Sequence, residues 1–148
     1  MDYKAHLEKL REYYFRAPPS ARLNIANQRI QNPEHGPNIL ITHVSAIEGM
    51  LRSLVMWAES GNNNPNAEIY KKYKFHGIES LYKRHCELKS CEPITSELVF
   101  ELVGYAVEYR NLLAHDCTYL GQDRFPQLIQ ACEEFLSALC KHAGIKNS

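Results

Sequence analysis

The feature that most limits the fold of this chain is a run of apolar residues between Leu40 and Ala58, which recur at steps of three and four positions. Such steps place the residues along one side of an α-helix, whereas a half-buried strand needs apolar residues at every second position. Nowhere does the sequence show a convincing strand alternation, an internal repeat or a low-complexity tract. We therefore expect an all-α protein around a long helix that Asn38 caps and that Ser60-Gly61 ends.

Helix-breaking residues divide the remainder of the chain into further helical segments. Short connections favour an antiparallel bundle of four to five helices, and a length of 148 residues favours a single domain over residues 1–148. In the penultimate helix, the apolar face is expected to run from Leu98 to Leu113. Besides the central helix, the predicted helices span residues 2–16, residues around 21–30, residues 66–90 with Asn66 as cap and a break near His76-Gly77, a helix from Thr95 or Ser96 to between His115 and Gly121, and roughly residues 123–142.

Charge and cysteine content narrow the class of protein. Lys plus Arg (17) equal Asp plus Glu (17), which argues against a protein that coats nucleic acid non-specifically but leaves room for a local basic site. The 5 cysteines include no Cys-x-x-Cys pair, so we expect reduced thiols and not a disulfide framework. We find neither a secretory leader nor an apolar run that approaches membrane-spanning length, and we expect a cytoplasmic protein with no membrane contact.

One polar cluster interrupts the apolar pattern of the penultimate helix, at residues 108–116. Its residue types suit phosphodiester cleavage in RNA: His115 can take the proton of a ribose 2′-hydroxyl, and the guanidinium of Arg110 can stabilise the charged phosphoryl transition state. Asn111 can orient the phosphate or the imidazole. No metal is needed, because the 2′-hydroxyl is already held beside the phosphorus atom. The same residues also fit an ordinary helix end, with Arg110 in solvent and a protonated His115 favoured by the helix dipole.

Helical geometry sets a condition on this site. Arg110 and His115 lie about 140° apart on a straight helix of 3.6 residues per turn. Both side chains reach one ligand only if the arginine curls back or the helix is ending. A third solution is a homodimer across the Arg110–His115 face, which would join two copies of the motif around a shared cleft.

The run Arg110-Asn111-Leu112-Leu113-Ala114-His115 resembles the Arg-x4-His signature of the HEPN family, small all-α domains that include many metal-independent ribonucleases. The run Ser45-Ala46-Ile47-Glu48 resembles a polar pattern of several HEPN branches, in which a carboxylate helps to line the cleft. The resemblance implies a HEPN-like bundle and a dimeric endoribonuclease. Its implied catalytic residues are Arg110, His115 and Asn111, and Glu48 and Ser45 are its implied supporting residues.

The resemblance also implies partners. Many HEPN proteins are toxins of toxin–antitoxin modules or parts of phage-defence systems, so RNA and an antitoxin protein are the expected partners. In the branch paired with nucleotidyltransferase antitoxins, a tyrosine stands two positions after the histidine, where this chain has Cys117, and Tyr119 follows two residues later. Regulation through that tyrosine is therefore in doubt here. The alternative function is a non-catalytic HEPN-like helical module that binds RNA, nucleotide or a partner protein.

Two further sets of residues are candidate site residues. The segment over residues 70–89 is locally basic and aromatic, which suits RNA, although an amphipathic helix with core aromatics and solvated lysines explains it as well. Glu48 orients Arg110 or His115, or it pairs with Arg52 at the next turn of its own helix. The RNA-contact candidates in the basic segment are Lys71, Lys72, Lys74, Lys83 and Arg84.

No cofactor is expected from the sequence. His76, His85, Cys86 and Cys91 are close in the chain, but their spacing matches no common structural zinc pattern, in which paired ligands stand two to four residues apart. Cys117 stands near His115, but nothing marks the oxyanion hole or orienting partner that a cysteine nucleophile needs. The sequence analysis therefore predicts neither a metal site nor covalent catalysis.

Overall fold

The computed structural model describes residues 2–32, 36–118 and 125–145, and for residues 36–37 it describes the backbone only. Within these ranges the chain is helical and contains no strand, so the all-α prediction is confirmed. The helices are α1 (Tyr3–Arg16), α2 (Pro19–Gln31), α3 (Gly36–Glu59), α4 (Ala67–Tyr73), α5 (Ile78–Lys89), α6 (Glu97–His115) and α7 (Pro126–Ala143). They exceed the four to five that were predicted, because residues 66–90 form two helices and the segment after Pro18 forms a complete one.

Side-chain caps explain where several helices begin. Asn66 accepts a hydrogen bond from the backbone N–H of Ile69 at 3.0 Å, which confirms the predicted cap, and of the alternatives Thr95 and Ser96 it is Ser96 that caps α6, accepting from the N–H of Val99 at 3.2 Å. Asn38 does not cap α3, because that helix already includes Gly36. The predicted start of the last helix at residue 123 lies outside the described residues, as does Tyr119.

Helix α3 lies at the centre of the bundle, where it packs against α4, α5, α6 and α7. Its most buried side chains, each at most 2% exposed, are Leu40, Val44, Ile47, Leu51 and Val55. Burial of each such side chain stabilises the fold by about 1.5–3 kcal/mol. Contrary to the expectation from the sequence, one stretch, Asn38–Glu59 with 22 residues, is long and apolar enough to cross a membrane by length and composition, because an 18-residue window within it has a mean hydropathy of 1.4. The same helix contacts four others, and 28% of that window is buried inside the bundle.

Helices α6 and α7 run antiparallel. The rings of Tyr109 and Phe125 lie 4.4 Å apart, and those of Phe100 and Phe135 lie 6.1 Å apart, so positions rise along one helix as they fall along the other. The end of α6 therefore lies beside the start of α7. The predicted apolar face of α6 is correct from Val99 onward, since its members are buried or packed against the core, but Leu98 is 63% exposed and does not belong to it.

Helices α1 and α2 position the end of α6 from the outside. In α1, Nδ1 of His6 is hydrogen-bonded to the hydroxyl of the buried Tyr109 at 2.7 Å. Helix α2 buries none of its residues and is held by arginines, of which Arg22 donates to the carbonyl of Tyr14 at 2.7 Å. The second arginine, Arg29, reaches the end of α6.

Candidate functional site

The side chain of Arg110 crosses from α6 to α3. Its Nη2 lies 2.9 Å from Oε2 of Glu48, and its Nε donates to Oδ1 of Asn111 at 3.0 Å. The side chain is only 16% exposed. Arg110 therefore does not point into open solvent. The ordinary helix-end interpretation, which places Arg110 in solvent, is wrong for this residue.

Glu48 joins two arginines, and we call the set Arg110, Glu48 and Arg52 the Glu48 bridge. Oε1 of Glu48 lies 3.3 Å from Nη2 of Arg52, which is one turn away on α3. The side chains of Glu48 and Arg52 are 22% and 17% exposed. The two alternative roles of Glu48 are therefore present together: it pairs with Arg52 on its own helix, and it orients Arg110 from across the bundle.

Arg52 extends this network to the loop between α4 and α5. Its Nε donates to the carbonyl of Tyr73 at 3.1 Å, and its Nη2 donates to the carbonyl of His76 at 2.9 Å. The Glu48 bridge thus connects the motif to the basic segment through hydrogen bonds. Ser45, the other supporting residue, is exposed and stands one turn before Glu48 on α3.

His115 is the last residue of α6 and is exposed, as is Asn111 one turn before it. Among the described residues, no side chain forms a hydrogen bond with the imidazole of His115. The structure therefore brings Arg110, Asn111 and Glu48 together, and it leaves His115 accessible at the end of the same helix without joining it to Arg110.

Arg29 of α2 is a residue of this site that the sequence analysis missed. Its Nη1 donates to the carbonyl of Leu113 and, at 3.2 Å, to the carbonyl of Thr118. A cation at the C-terminal end of a helix is favoured by the helix dipole, and here it also satisfies carbonyls that have no partner within the helix. The chain turns sharply at this point, where Cys117 has a φ of 52°. No local sequence pattern links an arginine of α2 to the end of α6.

A groove of about 540 Å³ runs beside the motif, between α6 and the start of α5. Its lining includes Gly104 and Glu108, which stand on the same helix line as Asn111 and His115. The groove contains the carboxylates of Glu79, Glu101 and Glu108, and no lysine or arginine among its described lining residues. Its charge therefore disfavours an RNA backbone.

A second pocket, of about 520 Å³, lies along α5, shares Ser80 with the groove, and is basic. It contains three of the five predicted RNA-contact residues, namely Lys72, Lys83 and Arg84, together with Tyr73 and His76. The remaining two are placed elsewhere: Lys71 pairs with Glu68 at 3.7 Å, and Lys74 lies 4.8 Å from the ring centroid of Phe75.

The basic pocket is organised around Glu59, whose side chain is 17% exposed. The Tyr73 hydroxyl donates to Oε1 of Glu59 at 2.5 Å, and Arg84 and Lys72 each donate to the same oxygen at 3.0 Å. These three hydrogen bonds, that of Tyr73 first, lower the pKa of Glu59 from 4.5 to about 2. Two of the three cations of the pocket are therefore already paired, and Lys83 is the one without a carboxylate partner among the described residues.

Comparisons with protein-family models, with curated proteins and with solved structures find no match to this chain. The likeness of the run from Arg110 to His115 to a known signature therefore depends on those residues and on their geometry.

Proposed function

We propose that the protein is a metal-independent endoribonuclease with a HEPN-like bundle. The observation that carries the proposal is the fixed position of Arg110, which Glu48 and Asn111 hold at the same helix end as the accessible imidazole of His115. A guanidinium held in place costs little reorganisation when negative charge develops on a phosphoryl group.

In the proposed reaction, His115 accepts the proton of a ribose 2′-hydroxyl while the 2′-oxygen attacks the adjacent phosphorus. The bond from phosphorus to the 5′-oxygen breaks, leaving a 2′,3′-cyclic phosphate, and the 5′-oxygen takes a proton from solvent water and departs as a hydroxyl. Arg110 has five N–H donors, and the Glu48 and Asn111 contacts use two of them, so donors remain for a phosphoryl oxygen.

The proposal includes a homodimer across the Arg110–His115 face. Helix α2, which is anchored to the end of α6, carries Leu23 at 60% exposure and Ile30 at 75% exposure, seven residues apart on one side. An apolar stripe beside the motif favours a second copy there. The second copy would supply a His115 to face each Arg110, which removes the geometric conflict within one helix.

RNA would enter this site over the basic pocket, where the ammonium group of Lys83, which has no carboxylate partner among the described residues, can contact a phosphate. The proposal includes a cytoplasmic location, where cellular RNA would be the substrate. A role as a toxin or phage-defence component, with an antitoxin protein as partner, extends the proposal and follows only from the resemblance of the motif.

A second function is favoured by one observation. Arg110 is already neutralised by Glu48, as expected of a structural ion pair in a non-catalytic module that binds RNA, nucleotide or a partner protein. The two functions differ in whether bound RNA is cut.

The test is cleavage of a fluorescently labelled RNA by purified protein in the presence of a chelator. We expect His115→Ala and Arg110→Ala each to reduce the rate by about 100-fold or more, since proton transfer and charge stabilisation each contribute at least that much. His43→Ala and Arg16→Ala are matched controls, because His43 contacts Glu133 and the carbonyl of Ile39, Arg16 contacts Glu12, and none of these partners belongs to the motif. If both motif variants cut as fast as the parent, the catalytic assignment is wrong. RNA binding without cleavage by any of these proteins would favour the second function.

A further inference from the structure

His85 is buried without a hydrogen-bond partner. Its side chain is 1% exposed, and neither Nδ1 nor Nε2 has a partner among the described residues. A neutral imidazole carries one donor and one acceptor, and burying both unpaired costs the desolvation free energy of each. An orphaned histidine in a helix interior therefore calls for an explanation.

Two other metal-ligating side chains meet His85 at this point. The ring nitrogens of His85 and His142 and the Sγ of Cys91 offer one ligand atom each, all within 4.8 Å of one another. The two imidazole rings lie 5.3 Å apart and are nearly perpendicular, at 76°. Cys86 borders the set, because its backbone carbonyl accepts a hydrogen bond from the N–H of Cys91 at 3.1 Å.

The ends of two helices deliver these ligands. Helix α5 ends at Ser90, whose φ of 50° turns the chain so that the N–H of Cys91 reaches the carbonyl of Cys86 at 3.1 Å. His142 lies in the last turn of α7, which Gly144 ends with a φ of 71°. Both helices thus direct the negative ends of their dipoles toward one place, which favours a bound cation.

We propose that His85, Cys91 and His142 bind a borderline-soft divalent cation, with zinc as the representative ion. Imidazole nitrogen and thiolate sulfur are the ligands that zinc prefers, and three protein ligands leave a fourth position for Cys86 or water. With zinc bond lengths of about 2.0–2.3 Å, tetrahedral ligand atoms lie about 3.3–3.8 Å apart. The ligand atoms therefore have to close by about 1 Å, which the exposed side chain of His142 permits.

This site is separate from the proposed ribonuclease centre. The ligands stand at the ends of α5 and α7, and α7 runs antiparallel to α6, so they lie towards the start of α6, whereas the motif is at its end; α6 has 19 residues and is about 28 Å long at about 1.5 Å per residue. The metal would link the ends of α5 and α7, so its role is to hold the fold together. The possible zinc ligands noted in the sequence were close in the chain and included His76. In the structure, the third ligand of the set is His142, from a different helix.

The test is titration of reduced, chelator-treated protein with Co²⁺, a spectroscopic probe for zinc sites. We expect one equivalent to bind with the visible bands of tetrahedral cobalt and a thiolate charge-transfer band in the near ultraviolet, and Zn²⁺ to displace it. Saturating Zn²⁺ should also raise the Tm by about 5–10 °C at a hundredfold excess over Kd.

Variants locate the ion without disturbing the core. His142→Ala, at an exposed position, should weaken cobalt binding by about tenfold or more, and Cys91→Ser should remove the charge-transfer band. His43→Ala and Cys117→Ser should bind cobalt like the parent, because neither residue borders the site. Absent cobalt bands in the parent, or parental affinity in His142→Ala, would overturn the proposal. Since RNA cleavage is assayed with chelator present, a failure of this proposal is distinguishable from a failure of the proposed function.

Discussion

Removing the negative charge of the Glu48 bridge is the most informative perturbation of the structure. In Glu48→Gln the side chain keeps its shape, but Arg110 and Arg52 lose their shared counter-ion at 2.9 Å and 3.3 Å. Exposed ion pairs contribute about 0–1 kcal/mol, and breaking a buried pair costs about 3–5 kcal/mol. Because the three side chains are 16–22% exposed, the loss falls between these limits, at about 2 kcal/mol.

Urea unfolding followed by circular dichroism measures this loss, with an unchanged slope as the sign that only stability changed. The expected fall in Tm is about 6 °C, at about 3 °C per kcal/mol for a domain of this size. Glu108→Gln is the matched control, since its pair with Arg11 is longer, 3.4 Å, with both side chains 46% exposed, and its loss should stay below about 0.5 kcal/mol.

Two results bear on the reasoning about the Glu48 bridge. Combining Glu48→Gln with Arg110→Ala should cost less than the sum of the two single changes, by about 1 kcal/mol, because each removes the same contact. If instead Glu48→Gln is as stable as Glu108→Gln, or the two changes are additive, the Glu48 bridge does not hold Arg110 and the site lacks its anchor.

Three other outcomes are expected. Glu59→Gln should cost about 2 kcal/mol of stability at pH 7 after allowance for solvent screening. In urea unfolding, this difference from the parent should vanish between about pH 5 and pH 2, because a carboxyl group with a lowered pKa stabilises the fold only while it is ionised. A pH-independent difference would contradict this. Arg29→Met should cost about 1–3 kcal/mol by removing the charged donor to two carbonyls at the end of α6, whereas Arg16→Met should cost little; equal losses would show that Arg29 is no anchor. Ile30→Glu should convert a dimer to a monomer in analytical ultracentrifugation, and a parent that is monomeric at micromolar concentration would refute the dimer.

The helices could be predicted because their signals are local. Three- and four-residue apolar steps identified α3 and α6, and the caps Asn66 and Ser96 act within one turn. The prediction that Leu98 is buried was wrong, because periodicity shows which residues share a face but not how far a neighbouring helix covers that face. The prediction that Asn38 caps α3 was wrong, because the helix begins at Gly36, before Asn38.

The site was only partly predictable, because its decisive contacts are long-range. The pairing of Glu48 with Arg52 is visible at a spacing of four, but its contact with Arg110 depends on how α3 packs against α6. The same limit hid Arg29, and it hid His142, which lies in a different helix from Cys91 and His85. Residue types can suggest a chemistry, but only the packing decides which side chains meet.

The shallow attachment of α2 makes it a separate unit of stability. A helix of 13 residues with none of them buried gains little from apolar packing, and a helix of that length is only marginally stable alone. Its local unfolding therefore precedes that of the bundle, and it releases the carbonyls of Leu113 and Thr118 when Arg29 departs. Any molecule that binds the folded α2 opposes this opening by mass action. The stability of the end of α6, which carries His115, is thus thermodynamically linked to the binding of any molecule to α2, a helix that is distant from it in the sequence.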